Sequence, residues 1–154
     1  MKSQEPSVIK LAVMFLFCLV AVAYLFSQPK TYADALPLST QTRNPVEPTE
    51  SNTARGLDHF DAHCASCHGS TGKADIEKGK AVKAADLTSE KVQSKTDAEL
   101  FRKISSGVPG TAMPAFGKSH KPAEIWQTIL FLRRLPTLTP EERKKLASAI
   151  PAGA

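Results

Sequence analysis

The sequence has few cysteines, few aromatic side chains and no convincing β-strand pattern. Its 154 residues include three cysteines, too few for a secreted domain held together mainly by disulfides. No run of alternating apolar and polar residues is bounded by turn signals, which argues against a sheet. Residues 56–154 contain only 24 large apolar side chains, a small core for a domain of this length. We therefore expect a helical domain whose core is completed by something other than side chains.

The apolar residues are concentrated near the N-terminus. Within residues 1–27, an uninterrupted apolar run occupies residues 11–26. A helix over residues 8–27 would be long enough to cross a bilayer of about 30 Å, so we predict a single-pass anchor. A cleaved signal peptide is the alternative, because residues 33–35 (Ala-Asp-Ala) have the form of a cleavage site. Either interpretation exports the rest of the chain across the cytoplasmic membrane.

The composition of residues 28–55 is typical of a linker. Residues 28–55 carry four prolines and seven serines or threonines, with almost no apolar periodicity, so they cannot bury enough surface to fold alone. We predict a folded domain over residues 56–136 and a C-terminal helical extension over residues 137–154.

Four helices are expected in the folded part, each with an apolar stripe or a start signal. Thr96 and Glu99 form a capping-box pattern, Gly107 is placed to end the same helix, and Pro122 fits a first helical position. The predicted helices cover residues 56–68, 97–106, 122–135 and 140–150. Residues 69–95 are expected to form a loop.

The motif that carries chemistry is Cys64-Ala65-Ser66-Cys67-His68. Two thiols at this spacing can add to the two vinyl groups of one haem, and the adjacent imidazole is then held beneath the iron. A redox-active disulfide would need a βαβ context that is missing here. A zinc site that includes His63 lacks a second ligand cluster at the usual spacing. A structural disulfide is the remaining alternative, and covalent attachment of one haem c is the interpretation that the motif favours.

The sixth ligand of the haem iron would decide the function. Met113 lies between predicted helices and is flanked by glycine and proline, where a methionine has no periodic core role. A thioether ligand favours ferrous iron and raises the reduction potential. His59 and His63 are too close in sequence to the motif to reach the opposite haem face. His120 is a conceivable alternative ligand, but between two lysines it is expected to be a solvated loop residue.

These residues resemble the class I c-type cytochromes, especially the single-haem modules related to the haem-bearing third subunit of bacterial cbb-type oxidases. The resemblance covers roughly residues 54–136 and rests on the motif and on short segments around it: Gly56, Phe60, Gly69, Gly72, Ala85-Asp86-Leu87-Thr88, Thr96-Asp97, Glu99-Leu100-Phe101, Ile104, Gly107, Met113-Pro114-Ala115-Phe116, Glu124-Ile125-Trp126 and Phe131-Leu132-Arg133.

The resemblance implies an all-α, class I cytochrome c-like fold with three to four helices and long loops around one haem. It implies that Cys64 and Cys67 are thioether anchors and that His68 and Met113 are the axial ligands of the iron. It also implies that Gly56 lets the first helix cross the last family helix closely. The chain departs from the family where alanines precede Asp86 in place of the usual proline.

An iron with two protein ligands has no open position for a substrate. We therefore expect a one-electron carrier of a respiratory-type chain, not an enzyme, with redox proteins of the membrane or periplasm as partners. The alternative is the electron-accepting cytochrome subunit of an exported dehydrogenase or oxidase complex. A haem enzyme or gas sensor would need a labile sixth ligand. Nucleic-acid binding and a small-molecule substrate are not expected.

Basic side chains exceed acidic ones in residues 56–154, by 15 to 11. Solvated helix faces are the favoured explanation of three basic clusters, and steering of docking to an acidic partner is the alternative: Arg102-Lys103, Arg133-Arg134 and Arg143-Lys144-Lys145.

Overall fold

The structure of the protein, a computed structural model, describes residues 43–150. The predicted membrane anchor, the cleavage site and the first part of the linker lie outside the described residues. Within residues 43–150, no helix is long and apolar enough to cross a membrane. All the regular secondary structure of that range is helical, which confirms the predicted all-α class.

The described residues form seven α-helices and one 3-10 turn: α1 (Glu50–His63), α2 (Ala65–His68), α3 (Glu77–Ala81), α4 (Glu90–Gln93), α5 (Asp97–Ser106), α6 (Pro122–Arg134), the 3-10 turn (Leu135–Thr137) and α7 (Pro140–Ser148). Helices α3 and α4 lie in residues 69–95, which we expected to be loop. Each is only about one turn long, and a single turn leaves no apolar periodicity in the sequence.

The sequence signals for helix ends are confirmed. The Thr96 hydroxyl accepts from the Glu99 backbone N–H, and the Glu99 carboxylate accepts from the Thr96 backbone N–H, so α5 begins with a complete capping box. A second capping box begins α7 at Thr139. Gly107 follows α5 with a φ of 70°, a conformation in which glycine costs little. Pro122 is the first residue of α6.

Helix α1 begins earlier than the linker prediction implied. Its start is at Glu50, where the Thr49 hydroxyl accepts a hydrogen bond from the Asn52 backbone N–H. Thr53 and Ala54 in its first turns are buried. The helical domain therefore begins at Glu50, within the segment predicted to be a linker. The sequence did not show this, because the first turns of α1 pack two small side chains in the core and lack the large apolar residues that mark a helix face.

The core forms where α1 crosses α6. A Cβ atom on Gly56 would lie 1.9 Å from the carbonyl oxygen of Gln127, so only glycine permits this approach. One turn later the rings of Phe60 and Phe131 pack with centroids 5.2 Å apart. The remaining buried core side chains come mainly from α1, α5 and α6: Ala54, Leu57, Leu100, Phe101, Ile104, Ile125, Trp126, Ile129 and Leu132.

Two arginines of the basic clusters make internal contacts and do not form purely solvated faces. The Nε of Arg133 donates to the Asp97 carboxylate at 2.8 Å, and its guanidinium also donates to the backbone carbonyl of Gln93 at 2.8 Å. This network joins α6 to the turn between α4 and α5. Arg143 of α7 pairs with Asp61 of α1. These two arginines therefore hold helices together, which the sequence did not indicate.

Candidate haem-binding site

A cavity of about 450 Å³ lies beside α2, within the size range of small-molecule and cofactor sites. All four side chains predicted to bind haem line it: Cys64, Cys67, His68 and Met113. Apolar side chains supply much of the remaining wall: Val82, Ala84, Ala85, Val108, Pro114 and Phe116. The cavity therefore brings together residues from three parts of the chain: the motif, the segment in and after α3, and the loop after α5.

His68 is held in one orientation by the backbone. Its side chain is buried, and its Nδ1 lies 2.9 Å from the carbonyl oxygen of Ala85. A carbonyl oxygen can only accept, so the ring proton is on Nδ1 and the lone pair is on Nε2. An imidazole fixed in this way is prepared to bind a metal through Nε2. The contact forms without the proline that the family usually has before Asp86.

The loop that carries Met113 is attached to the end of α5. The backbone N–H groups of Phe116 and Gly117 donate to the carbonyl oxygens of Ile104 and Ser105, at 3.0 Å and 2.9 Å. Carbonyls in the last turn of a helix have no partner within that helix. The loop supplies these partners, and its return path to α5 is therefore defined by hydrogen bonds.

Gly107 lets this loop turn back closely on α5. Its φ is positive, and a Cβ atom there would lie 2.9 Å from the carbonyl oxygen of Met113. The same carbonyl accepts a hydrogen bond from the Val108 backbone N–H at 3.2 Å. Met113 is partly buried against the core and faces the cavity. Met113 therefore lies in a loop whose backbone is fixed before it by Gly107 and Val108, and after it by the hydrogen bonds of Phe116 and Gly117 to α5.

The two cysteines are free thiols in the structure. Burial, with a smaller contribution from Cys67, raises the pKa of the Cys64 thiol to about 12. A redox-active Cys-x-x-Cys pair instead needs a lowered thiol pKa. The raised pKa of Cys64 therefore argues against a redox-active pair.

The family described as cytochrome C oxidase, cbb3-type, subunit III matches residues 51–132, more than half of the chain. The chain belongs to this family. A search of curated proteins found no similar sequence. The matched region begins in α1 and ends in α6, so it contains every residue that lines the cavity. Helix α7 lies beyond it.

The donor set of this c-type cytochrome domain fits a haem c. Two thiols, an imidazole and a thioether face one largely apolar cavity, and these are the groups that c-type haem attachment and ligation use. Lys78 and Lys83 line the same cavity. Neither lysine was indicated by the sequence, because both lie in and beside α3, in the segment expected to be loop.

The three other histidines lie together beside the cavity. His63 is one of the residues that line it, whereas His59 and His120 are not. The expectation that His120 is a solvated loop residue is not met, because its ring packs against those of His59 and His63. Their proximity could not be read from the sequence, since His120 is far from the other two along the chain.

Proposed function

We propose that the domain is a one-electron carrier that binds one haem c covalently through Cys64 and Cys67, with His68 and Met113 as axial ligands. The observation that carries the proposal is the convergence of these four side chains on one cavity. The orientation of His68 by the Ala85 carbonyl supports it, because it leaves the Nε2 lone pair free to bind iron.

A haem held there would supply a reversible one-electron iron couple. The chain's own residues would prevent the iron from binding and transforming a substrate. His68 would occupy one axial position and Met113 the other, so neither position would be open to a substrate or a gas. Apolar walls such as Val82 and Phe116 would limit the access of water to the site, and burial of this kind is one of the means by which a protein adjusts a haem potential.

We further propose that this carrier works outside the cytoplasm, tethered to the membrane by residues 8–27, with redox proteins as its partners. The apolar run of residues 11–26 supports export. Membership in a family named for an oxidase subunit favours a second possibility, that the domain passes electrons within an oxidase complex.

An optical spectrum of the protein made with c-type haem maturation tests the ligand assignment. We expect thioether-linked haem, a methionine–iron band in the ferric form, and no spectral change when the reduced protein meets carbon monoxide. Met113→Ala should lose that band and bind carbon monoxide. Val108→Ala, which shortens another cavity side chain of the same loop, should behave as the wild type. A wild-type protein that binds carbon monoxide rapidly would contradict the closed carrier.

Purification of the full chain from membranes in mild detergent tests the choice between carrier and subunit. A free carrier should elute alone and be reduced and oxidised by added redox proteins. Stable co-purification with a catalytic subunit would instead establish the domain as part of an oxidase or dehydrogenase complex.

A further inference from the structure

Three histidine rings meet on the side of α1 next to the cavity. His59 and His63 lie four residues apart on α1, and His120 reaches them from the turn before α6. The centroids of each pair of rings are 4.6–4.7 Å apart. Each ring offers one nitrogen, and these three nitrogens lie within 4.8 Å of one another. Three imidazoles can therefore reach one common point.

The hydrogen bonds of His59 determine which of its nitrogens is free. The hydroxyl of Thr128, which is fully buried, donates to the carbonyl oxygen of Glu124 at 2.8 Å. A hydroxyl has a single proton, so its contact of 2.9 Å with Nδ1 of His59 must be one in which the ring donates. The lone pair of His59 is therefore on Nε2, and that atom is buried with no hydrogen-bond partner.

His120 is oriented in the same way. The Ser119 hydroxyl donates to the carbonyl oxygen of Phe116 at 3.3 Å and lies 2.8 Å from Nδ1 of His120. In the tautomer in which the ring of His120 donates from Nδ1 to this hydroxyl, its lone pair is on Nε2. Ligating histidines commonly donate their second ring N–H to an oxygen in this manner, which fixes the tautomer.

The charge state of His59 also suits a metal ligand. Burial, followed by the neighbouring His63 and His120, lowers the pKa of His59 to about 4, although the carboxylates of Asp58 and Glu124 oppose this shift. The ring is consequently neutral at pH 7, which is the form that binds metals. Packing alone would explain three adjacent rings, but it does not explain a buried Nε2 without a partner, since buried polar atoms are almost always paired.

We propose that His59, His63 and His120 form a binding site for one divalent transition-metal ion of the zinc and copper class. Imidazole ligands suit both ions, and three protein ligands leave a position for water, as in open zinc sites. Thr128 and Ser119 act as positioning residues that orient two of the three rings. None of these three ligands is a proposed ligand of the haem iron. A failure to bind zinc or copper would therefore not contradict the electron-transfer proposal.

Calorimetric titration of the haem-loaded protein, made without a polyhistidine tag, tests the site. With Zn²⁺ we expect one ion per chain, and Cu²⁺ should bind more tightly because it stands above zinc in the order of divalent-metal affinities. His63→Gln and His120→Gln should each weaken binding by more than the roughly 10–100-fold that loss of an outer partner costs. Lys118→Gln, an exposed change in the same loop, is the matched control. Equal zinc affinity in the wild type and in His63→Gln would overturn the proposal.

Variants of Thr128 test the positioning role without removing a ligand. Thr128→Val deletes the acceptor of the His59 ring proton and should weaken zinc binding about 10–100-fold. Thr128→Ser keeps the hydroxyl and should retain the affinity. The optical spectrum of the haem shows whether each variant is folded, and the paramagnetic resonance of bound Cu²⁺ should show coupling to imidazole nitrogens. A copper spectrum without such coupling, or equal zinc affinity in Thr128→Val and Thr128→Ser, would refute the assignment.

Discussion

Replacement of Gly56 by alanine is the most direct test of the helix crossing that supports both sites. The new Cβ would lie 1.9 Å from the Gln127 carbonyl oxygen, whereas ordinary contact begins at 3.4 Å. Both neighbours belong to helix backbones, so no rotamer change can relieve the clash. Helices α1 and α6 would have to separate by about 1.5 Å, the difference between those two distances.

The cost of that separation can be worked from the packing it disturbs. A gap of only about 0.5–1 Å already removes a quarter to a half of a dispersion contact, and the contact of Phe60 with Phe131 lies one turn away. Overpacking of a core commonly costs about 1–3 kcal/mol and occasionally more. The rigid backbone clash places Gly56→Ala at the upper end of that range. Because alanine also improves helix propensity by about 1 kcal/mol, we expect the substitution to lower the free energy of unfolding by a net ~2 kcal/mol.

Guanidinium unfolding of the haem-loaded protein, followed by circular dichroism, measures this loss. With a dependence of about 4 kcal/mol per molar denaturant, a loss of ~2 kcal/mol moves the midpoint down by ~0.5 M. The control is Asp58→Ala, an exposed change on the same helix, which should stay within about 0.5 kcal/mol of the wild type. If Gly56→Ala unfolds at the wild-type midpoint with the same slope, the close approach of α1 and α6 is wrong.

Three further outcomes are expected. Arg133→Lys should lower the free energy of unfolding by about 1–3 kcal/mol, because lysine cannot reproduce the forked hydrogen bonds to a carboxylate and to backbone carbonyls; Arg134→Lys, an exposed neighbour, should change little in the same denaturation assay. His59 binds a proton less readily in the folded state than in the unfolded state. Stability should therefore be intact above pH 6.5 and fall as the pH is lowered towards about 4, and His59→Gln should flatten that part of the pH profile when it is measured with a chelator present. Cys64→Ala combined with Cys67→Ala should prevent haem attachment and leave a cavity of about 450 Å³ without its main filler, so the far-ultraviolet circular dichroism should show a large loss of helix; a native-like signal would contradict a core that depends on haem.

Local signals predicted the fold well where a few adjacent residues determine the structure. The capping box at Thr96 depends on two side chains three residues apart, so the sequence contains the whole interaction. The Cys64–His68 motif is local in the same sense. Helices α3 and α4 escaped prediction because one turn is too short to show a period, and their stability comes from tertiary packing.

Contacts between distant residues were largely beyond prediction. The family resemblance anticipated the approach permitted by Gly56, and the structure places Gln127 at that point. Nothing in the basic clusters distinguished Arg133, which binds Asp97, from its exposed neighbour Arg134. The contact of His120 with the histidines of α1 likewise depends on the path of the turn before α6. Residue spacing in the sequence does not predict that path.

The arrangement of α1 links the two proposed sites physically. The helix ends at His63, immediately before the first cysteine of the motif, and it carries two of the three histidines. Phe116 lines the haem cavity and also packs against the rings of His63 and His120. An ion that drew the three imidazoles together would therefore act on the loop that presents Met113. Since coupling between two binding equilibria is reciprocal, any effect of a metal on ligation by Met113 must be matched by an equal effect of Met113 ligation on metal affinity.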